Sequence, residues 1–276
     1  MRISTLVLSL VSCLAVGAAW ADPYPPNPEG VTMGHWHLNS RDIDANKKIF
    51  VALGGTAVKA GDFDIVRFPG VNVYLNVRPG SPPASGGTVG SVVNHVGFLV
   101  PNVQDSVAKW KSAGVDVTPG GNGRTDQAFV ITADGLRIEI LEDKNQKVPI
   151  RHHHVHFFVP EPAIPDIQAW YGKLFGATPG MRSNFKTAYV PGAELAFSKT
   201  TEPTVTTKGR VLDHIGFDVN DLDAFLKKAE AVAGVKPVVP ASKNPTNGVS
   251  LAFIADPWGT YIELNQRPNQ TYLDQM

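Results

Sequence analysis

Cysteine is all but missing: the 276 residues contain one, Cys13, inside the N-terminal stretch. A chain with a single thiol closes no internal disulfide. Once that stretch is removed it has no thiol nucleophile either, so any metal must be held through nitrogen and oxygen. Charge of one sign is missing too. Lys+Arg and Asp+Glu both number 25, for a formal net charge of +0, and no run of like charges marks a face for nucleic acid or an anionic membrane. The apolar stretch Leu6 to Val16 is shorter than a membrane-spanning helix requires. What remains is ordinary globular material, 43% hydrophobic, enough for one large core or two smaller ones. Two domains are expected.

The N-terminus has the grammar of an export signal. Arg2 gives a positive start, Leu6 to Val16 the apolar stretch, and Ala19-Trp20-Ala21 a small-residue cleavage site before Asp22. Residues 1–21 read as a signal peptide, and the mature protein as soluble and secreted or periplasmic. Two alternatives stay open, a buried N-terminal helix and a lipobox at Leu10-Val11-Ser12-Cys13 that would anchor a lipoprotein through Cys13.

An internal repeat organises the rest. Four segments share one pattern: a strand carrying histidine, an amphipathic helix, a glycine, then further strands. The first strands contain Gly34-His35-Trp36-His37, Asn94-His95-Val96-Gly97, His153-His154-Val155-His156 and Asp213-His214-Ile215-Gly216, and their leading histidines lie 60, 59 and 60 residues apart. Leu222, Phe225, Leu226 and Ala229 form a helical stripe, as do Ile167, Trp170, Tyr171 and Leu174. Asp42, Asp105 and Asp221 stand near helix starts, and Gly54, Gly114, Gly176 and Gly234 near helix ends. The expected fold is α+β, four βαβββ modules paired into two domains. Turn-rich stretches 80–91 and 200–210 separate modules within each half, and the polar run 143–147 separates the halves. This gives residues 22–144 as the first domain and 149–268 as the second, each pairing modules adjacent in sequence.

Strand alternation sets the direction of the histidines. Ile215, Phe217 and Val219 share one face and His214 the other; Val96, Phe98 and Val100 oppose His95 in the same way. In the closing strands Ile138 and Ile140 oppose Glu139, and Ile262 and Leu264 oppose Glu263. The apolar faces pack on helices, so carboxylates and histidines share the opposite face. Trp36, Trp110, Trp170 and Trp258 read as packing residues.

With Asp213-His214-Ile215-Gly216-Phe217-Asp218-Val219 and Asp256-Pro257-Trp258-Gly259-Thr260-Tyr261-Ile262-Glu263-Leu264, the sequence resembles the vicinal oxygen chelate superfamily of glyoxalases, extradiol dioxygenases and bleomycin resistance proteins. The resemblance covers roughly residues 32–266. It implies that paired modules form a cup with metal ligands on their first and last strands. Within sequence halves that means His154, His214 and Glu263 at one site and His35, His95 and Glu139 at a second candidate site. His37 and His156 are alternatives to His35 and His154.

Two histidines and a carboxylate suit a divalent first-row ion: Fe(II) is favoured, with Mn(II), Zn(II) or Ni(II) as alternatives. Glyoxalase relatives add a carboxylate where this chain has Tyr74 and Ala196, with Glu194 on the same face as Ala196. Ring-cleaving relatives place tyrosine and histidine where this chain has Asn244 and Phe253. Tyr189, Tyr261, His152, His153 and His156 are the proton-transfer candidates, with His152 and His153 expected at the solvated start of their strand.

The resemblance implies an enzyme that chelates a small oxygen-rich substrate. Extradiol-type cleavage comes first, a glyoxalase-type lyase or isomerase second, and metal-free drug binding is the rival class. No nucleic-acid partner and, after signal cleavage, no membrane partner is expected; homo-oligomerisation is left open.

Overall fold

The structure, a computed structural model, describes residues 24–77, 80, 82–245 and 247–267. The expected signal peptide and Cys13 lie outside the described residues. Among those described, no helix is long and apolar enough to cross a membrane.

The four modules are present. The first holds β1 (Val31–Leu38), α1 (Ile43–Leu53), β2 (Thr56–Ala60), β3 (Phe63–Phe68) and β4 (Val71–Tyr74). The second holds β5 (Val93–Val100), α2 (Val103–Ser112), β6 (Val117–Pro119), β7 (Gln127–Ile131) and β8 (Arg137–Glu142). The third holds β9 (Arg151–Val159), α3 (Ile164–Phe175), β10 (Thr178–Arg182), β11 (Phe185–Val190) and β12 (Ala193–Lys199). The fourth holds β13 (Leu212–Val219), α4 (Leu222–Ala233), β14 (Val239–Lys243), β15 (Ser250–Ala255) and β16 (Tyr261–Gln266). Asp42 and Asp221 cap α1 and α4, their side chains accepting from Ala45 N and Ala224 N. In α2 the cap is Asn102, which accepts from the backbone of Asp105. Asparagine caps as well as aspartate, and Asp105 sits one turn inside, where its charge faces free amides.

Two eight-stranded sheets result, ordered β14-β15-β16-β13-β1-β4-β3-β2 and β10-β11-β12-β9-β5-β8-β7-β6. At each centre two first strands run antiparallel, β1 with β13 and β5 with β9, flanked by the parallel pairs β1–β4, β13–β16, β5–β8 and β9–β12. The partners differ from those expected. The first module shares its sheet with the fourth, and the second with the third, so modules adjacent in sequence do not share a sheet, except at the middle of the chain.

Sequence-adjacent modules instead meet through their apolar faces. Trp36 of β1 packs 5.3 Å from Phe98 of β5, and Phe175 of α3 packs 4.6 Å from Phe217 of β13. One continuous core of buried side chains from all four modules results. Carboxylates latch the same pairs, Asp134 half-buried and Asp256 buried. Asp134 accepts from Asn46 Nδ2 at 2.6 Å and Arg41 N at 3.0 Å, and Asp256 accepts from the Tyr171 hydroxyl at 3.0 Å. Burial in apolar surroundings pushes both Asp256 and Tyr171 up from their ordinary pKa values.

Candidate metal centres

The clusters follow from strand pairing. Because β1 lies against β13 and β13 against β16, His35, His37, His214 and Glu263 converge on the first sheet. By the same pattern His95, His154, His156 and Glu139 converge on the second. In each cluster one ligand-capable atom from every residue lies within 4.8 Å of those from the others. All six principal candidates therefore fall in clusters, but not in the expected trios. His154 stands with His95 and Glu139, while His214 and Glu263 stand with His35, because sheet pairing joins the two outer modules to each other and the two inner modules to each other.

In the first cluster Glu263 Oε2 lies 2.9 Å from His214 Nε2 and 3.6 Å from His35 Nε2. In the second, Glu139 Oε2 lies 3.1 Å from His154 Nε2 and 3.3 Å from His95 Nε2. Outer partners fix the rings. His214 Nδ1 donates to Asp213 Oδ1 at 2.7 Å, His95 Nδ1 pairs with Asn94 Oδ1 at 2.9 Å, His37 Nε2 donates to Asn76 O at 2.6 Å, and His156 Nε2 meets Ser198 Oγ at 2.8 Å. Each contact occupies one ring nitrogen and turns the other inward, the outer-shell arrangement that orients metal-binding histidines. Gln127 donates to Glu139 Oε1.

Two glycines make the close packing feasible. An ideal Cβ at Gly216 would lie 2.0 Å from His35 Cε1, and one at Gly97 would lie 2.1 Å from His154 Cε1. These are cross-strand neighbours, His35 with Gly216 and His154 with Gly97. Both centres thus seat an imidazole over a position where any side chain would intrude. The glycine two residues after His95 and His214 was the readable signal for this.

Bulges complete the aim. Pairing slips between Met33 and His35 and again between Gly97 and Phe98, where His154 is followed by His152 as the next paired residue. An extra residue reverses the alternation. His152 therefore points into the core, 1% exposed, donating to Gly192 O at 2.8 Å with its ring 4.9 Å from Trp36. This corrects the expectation of a solvated strand start: His152 is a packing residue, held down to about 4 by burial. The bulged His153 lies 2.9 Å from His154, Nδ1 to Nδ1.

Of the other proton-transfer candidates, Tyr261 is buried and stacked on Phe253 at 4.8 Å, 5.9 Å from His214. Tyr189 is half exposed opposite Glu194. Tyr74, considered only as a missing carboxylate, lies 5.0 Å from the His35 ring and stacks on His37 at 5.7 Å. Asn244 sits in the turn after β14, its backbone N–H on Val249 O. Trp36 and Trp110 are buried as expected, and Trp170 and Trp258 pack edge to face at 6.3 Å.

The charge states fit a divalent cation. Burial lowers His35, His95 and His154 and brings His37 and His156 down to about 3, so these imidazoles are neutral with lone pairs available. Burial raises Glu139 and Glu263, but the neighbouring histidine rings outweigh it and hold both carboxyls ionised, well below the usual range. His214 departs from the pattern: burial lowers it, yet Asp213 and Glu263 bring it above its ordinary value. His154 Nε2 and His214 Nε2 are buried without an aligned hydrogen-bond partner among the described residues. A buried carboxylate packed this close to several imidazoles is costly unless a proton or a cation joins them. Three nitrogens and one oxygen suit a first-row divalent ion.

A model of the Glyoxalase/Bleomycin resistance protein/Dioxygenase superfamily matches residues 94–264, and the chain belongs to that superfamily. Among solved structures, glyoxalase I from Zea mays superposes with a TM-score of 0.68 at 17% identity, covering 89% of this chain and 94% of that one. A candidate dioxygenase from Bacillus subtilis subsp. subtilis str. 168 does so with a TM-score of 0.59 at 15% identity, covering 90% and 87%. At these identities the likeness concerns the fold. No curated protein sequence matches the chain.

Proposed function

We propose that this chain is a metal-dependent enzyme with two centres, one at His35, His214 and Glu263 with His37 adjacent, the other at His95, His154 and Glu139 with His156 adjacent. The observation that carries this reading is the convergence of three imidazoles and a carboxylate at each centre. A bound divalent ion would polarise adjacent oxygens of a chelating substrate and ease loss of its proton. The chain's own residues orient and exclude. Asp213 and Asn94 hold the tautomers of His214 and His95, Gln127 fixes Glu139, and Phe253 and Phe129 wall the centres 5.2 and 6.4 Å from His214 and His95.

Ring cleavage of aromatic diols, with Fe(II), is the favoured chemistry. It rests on each centre's gathering histidines around a single ligating carboxylate and on Tyr74 and Ala196 standing beside His37 and His156 in register, where four-ligand relatives carry a further carboxylate. A glyoxalase-type isomerisation is the second reading. It is favoured by Glu194, paired in register with His154, as a base at that centre.

Metal quantification with oxygen-uptake assays on a panel of catechols tests the proposal. Two equivalents of metal and oxygen uptake are expected, each centre being emptied separately by His214→Ala and His154→Ala. Bound iron without oxygen uptake would retire ring cleavage, and a metal-free protein would retire the enzyme reading. We place the activity outside the cytoplasm on the strength of the N-terminal signal; sequencing of the exported protein should begin at Asp22.

A further inference from the structure

The second centre is flanked by two arginines that its metal ligands do not require. Arg137 lies two residues before Glu139 on β8 and so shares its face. Its guanidinium covers the Phe129 ring at 4.2 Å and reaches Asn94 Oδ1 at 3.4 Å. On the opposite wall Arg182, at the end of β10, donates through Nε to Glu194 Oε1 at 2.6 Å, and Glu194 is the register partner of His154. Arg182 Nη2 is buried with no hydrogen-bond partner among the described residues. Both positive charges act on His95 and His156. At the corresponding places of the first centre stand Tyr261 and Ala60.

Arg137 and Arg182 balance Glu139 and Glu194, so a divalent ion on the ring nitrogens would leave this wall with two positive charges in excess. A neutral diol that loses one proton on chelation does not neutralise them. A chelator that also carries a carboxylate does, and a guanidinium with a buried Nη2 that no protein acceptor occupies is the group that recognises it.

We propose that the centre at His95, His154 and Glu139 takes an anionic substrate, a vicinal-oxygen chelator bearing a carboxylate held by Arg182 and Arg137. This inference rests on the metal-centre reading above.

The test compares catechol with 3,4-dihydroxybenzoate, which share the chelating diol and differ by the carboxylate. Both are titrated calorimetrically into the Zn(II)-loaded full chain carrying Glu263→Ala to empty the other centre. The carboxylated diol should bind about tenfold or more tightly than catechol. Arg182→Gln and, independently on the other wall, Arg137→Gln should shrink that preference with zinc content unchanged, and Arg182→Lys should retain part of it. Equal affinity for the two diols, or a preference that survives both glutamine variants, overturns the anion assignment and leaves the metal centre standing. A chain that binds no zinc overturns both readings.

Discussion

Gly216→Ala separates ligand geometry from stability. The added Cβ would lie 2.0 Å from His35 Cε1 and 2.2 Å from Nδ1, whereas ordinary contact begins near 3.4 Å, so the ring must retreat by about 1.4 Å. The atoms that yield belong to the far end of a side chain. The destabilisation should therefore fall at the low end for overpacking, about 1 kcal/mol, or roughly 2–4 °C in Tm for a chain of this size. A metal site tolerates ligand displacements of only about 0.2 Å, so affinity at that centre should fall by at least the ~10–100-fold seen when outer partners alone are lost. Metal analysis after dialysis against a weak chelator should show one equivalent retained, and Gly97→Ala should remove the other. Full metal content with unchanged affinity in Gly216→Ala would refute the reasoning, because His35 would then not be a ligand seated over that glycine.

Three further outcomes are expected. A double-mutant cycle on metal content and Tm should couple His154→Ala with His95→Ala and leave His154→Ala additive with His214→Ala, since coupling is confined to residues in contact; the reverse would restore pairing within sequence halves. The metal-free chain should lose stability on acidification. His37 is depressed to about 3 by burial, so its contribution is complete above the unfolded value near 6.5 and is lost as pH falls towards 3, amounting to about 2 kcal/mol at pH 5 from this residue alone. Urea titrations at pH 7 and pH 5 read this, and equal midpoints would contradict it. Tyr171→Phe should lower stability by about 1–3 kcal/mol because Asp256 loses its hydroxyl partner in an apolar setting, with metal content unaffected; a change below 0.5 kcal/mol would show the latch to be idle.

The repeat and the ligand-bearing residue types were legible because the chain writes each module in the same order, and alternation fixes which side chains share a face. What escaped was which copies share a sheet, since equal spacing identifies equivalent residues without saying which of them are neighbours. One signal pointed the right way. The shortest link between modules, residues 143–150, joins β8 to β9, whereas residues 75–92 and 200–211 make the other crossings, and short links favour elements of one sheet. The bulges at Gly34 and His153 were equally hidden, for a one-residue slip leaves no trace in composition yet turns His152 into the core.

The pairing of the first module with the last has a consequence for biogenesis. The inner centre draws its residues from 95 to 156 and is complete once the third module is available. The outer one needs His35 beside Glu263, so it stays open until β16 arrives and closes a loop spanning all four modules, a slow, high-contact-order step. Chains shortened before β16 would thus retain the inner constellation alone, and a protease trimming that last strand would erase one centre while sparing the other.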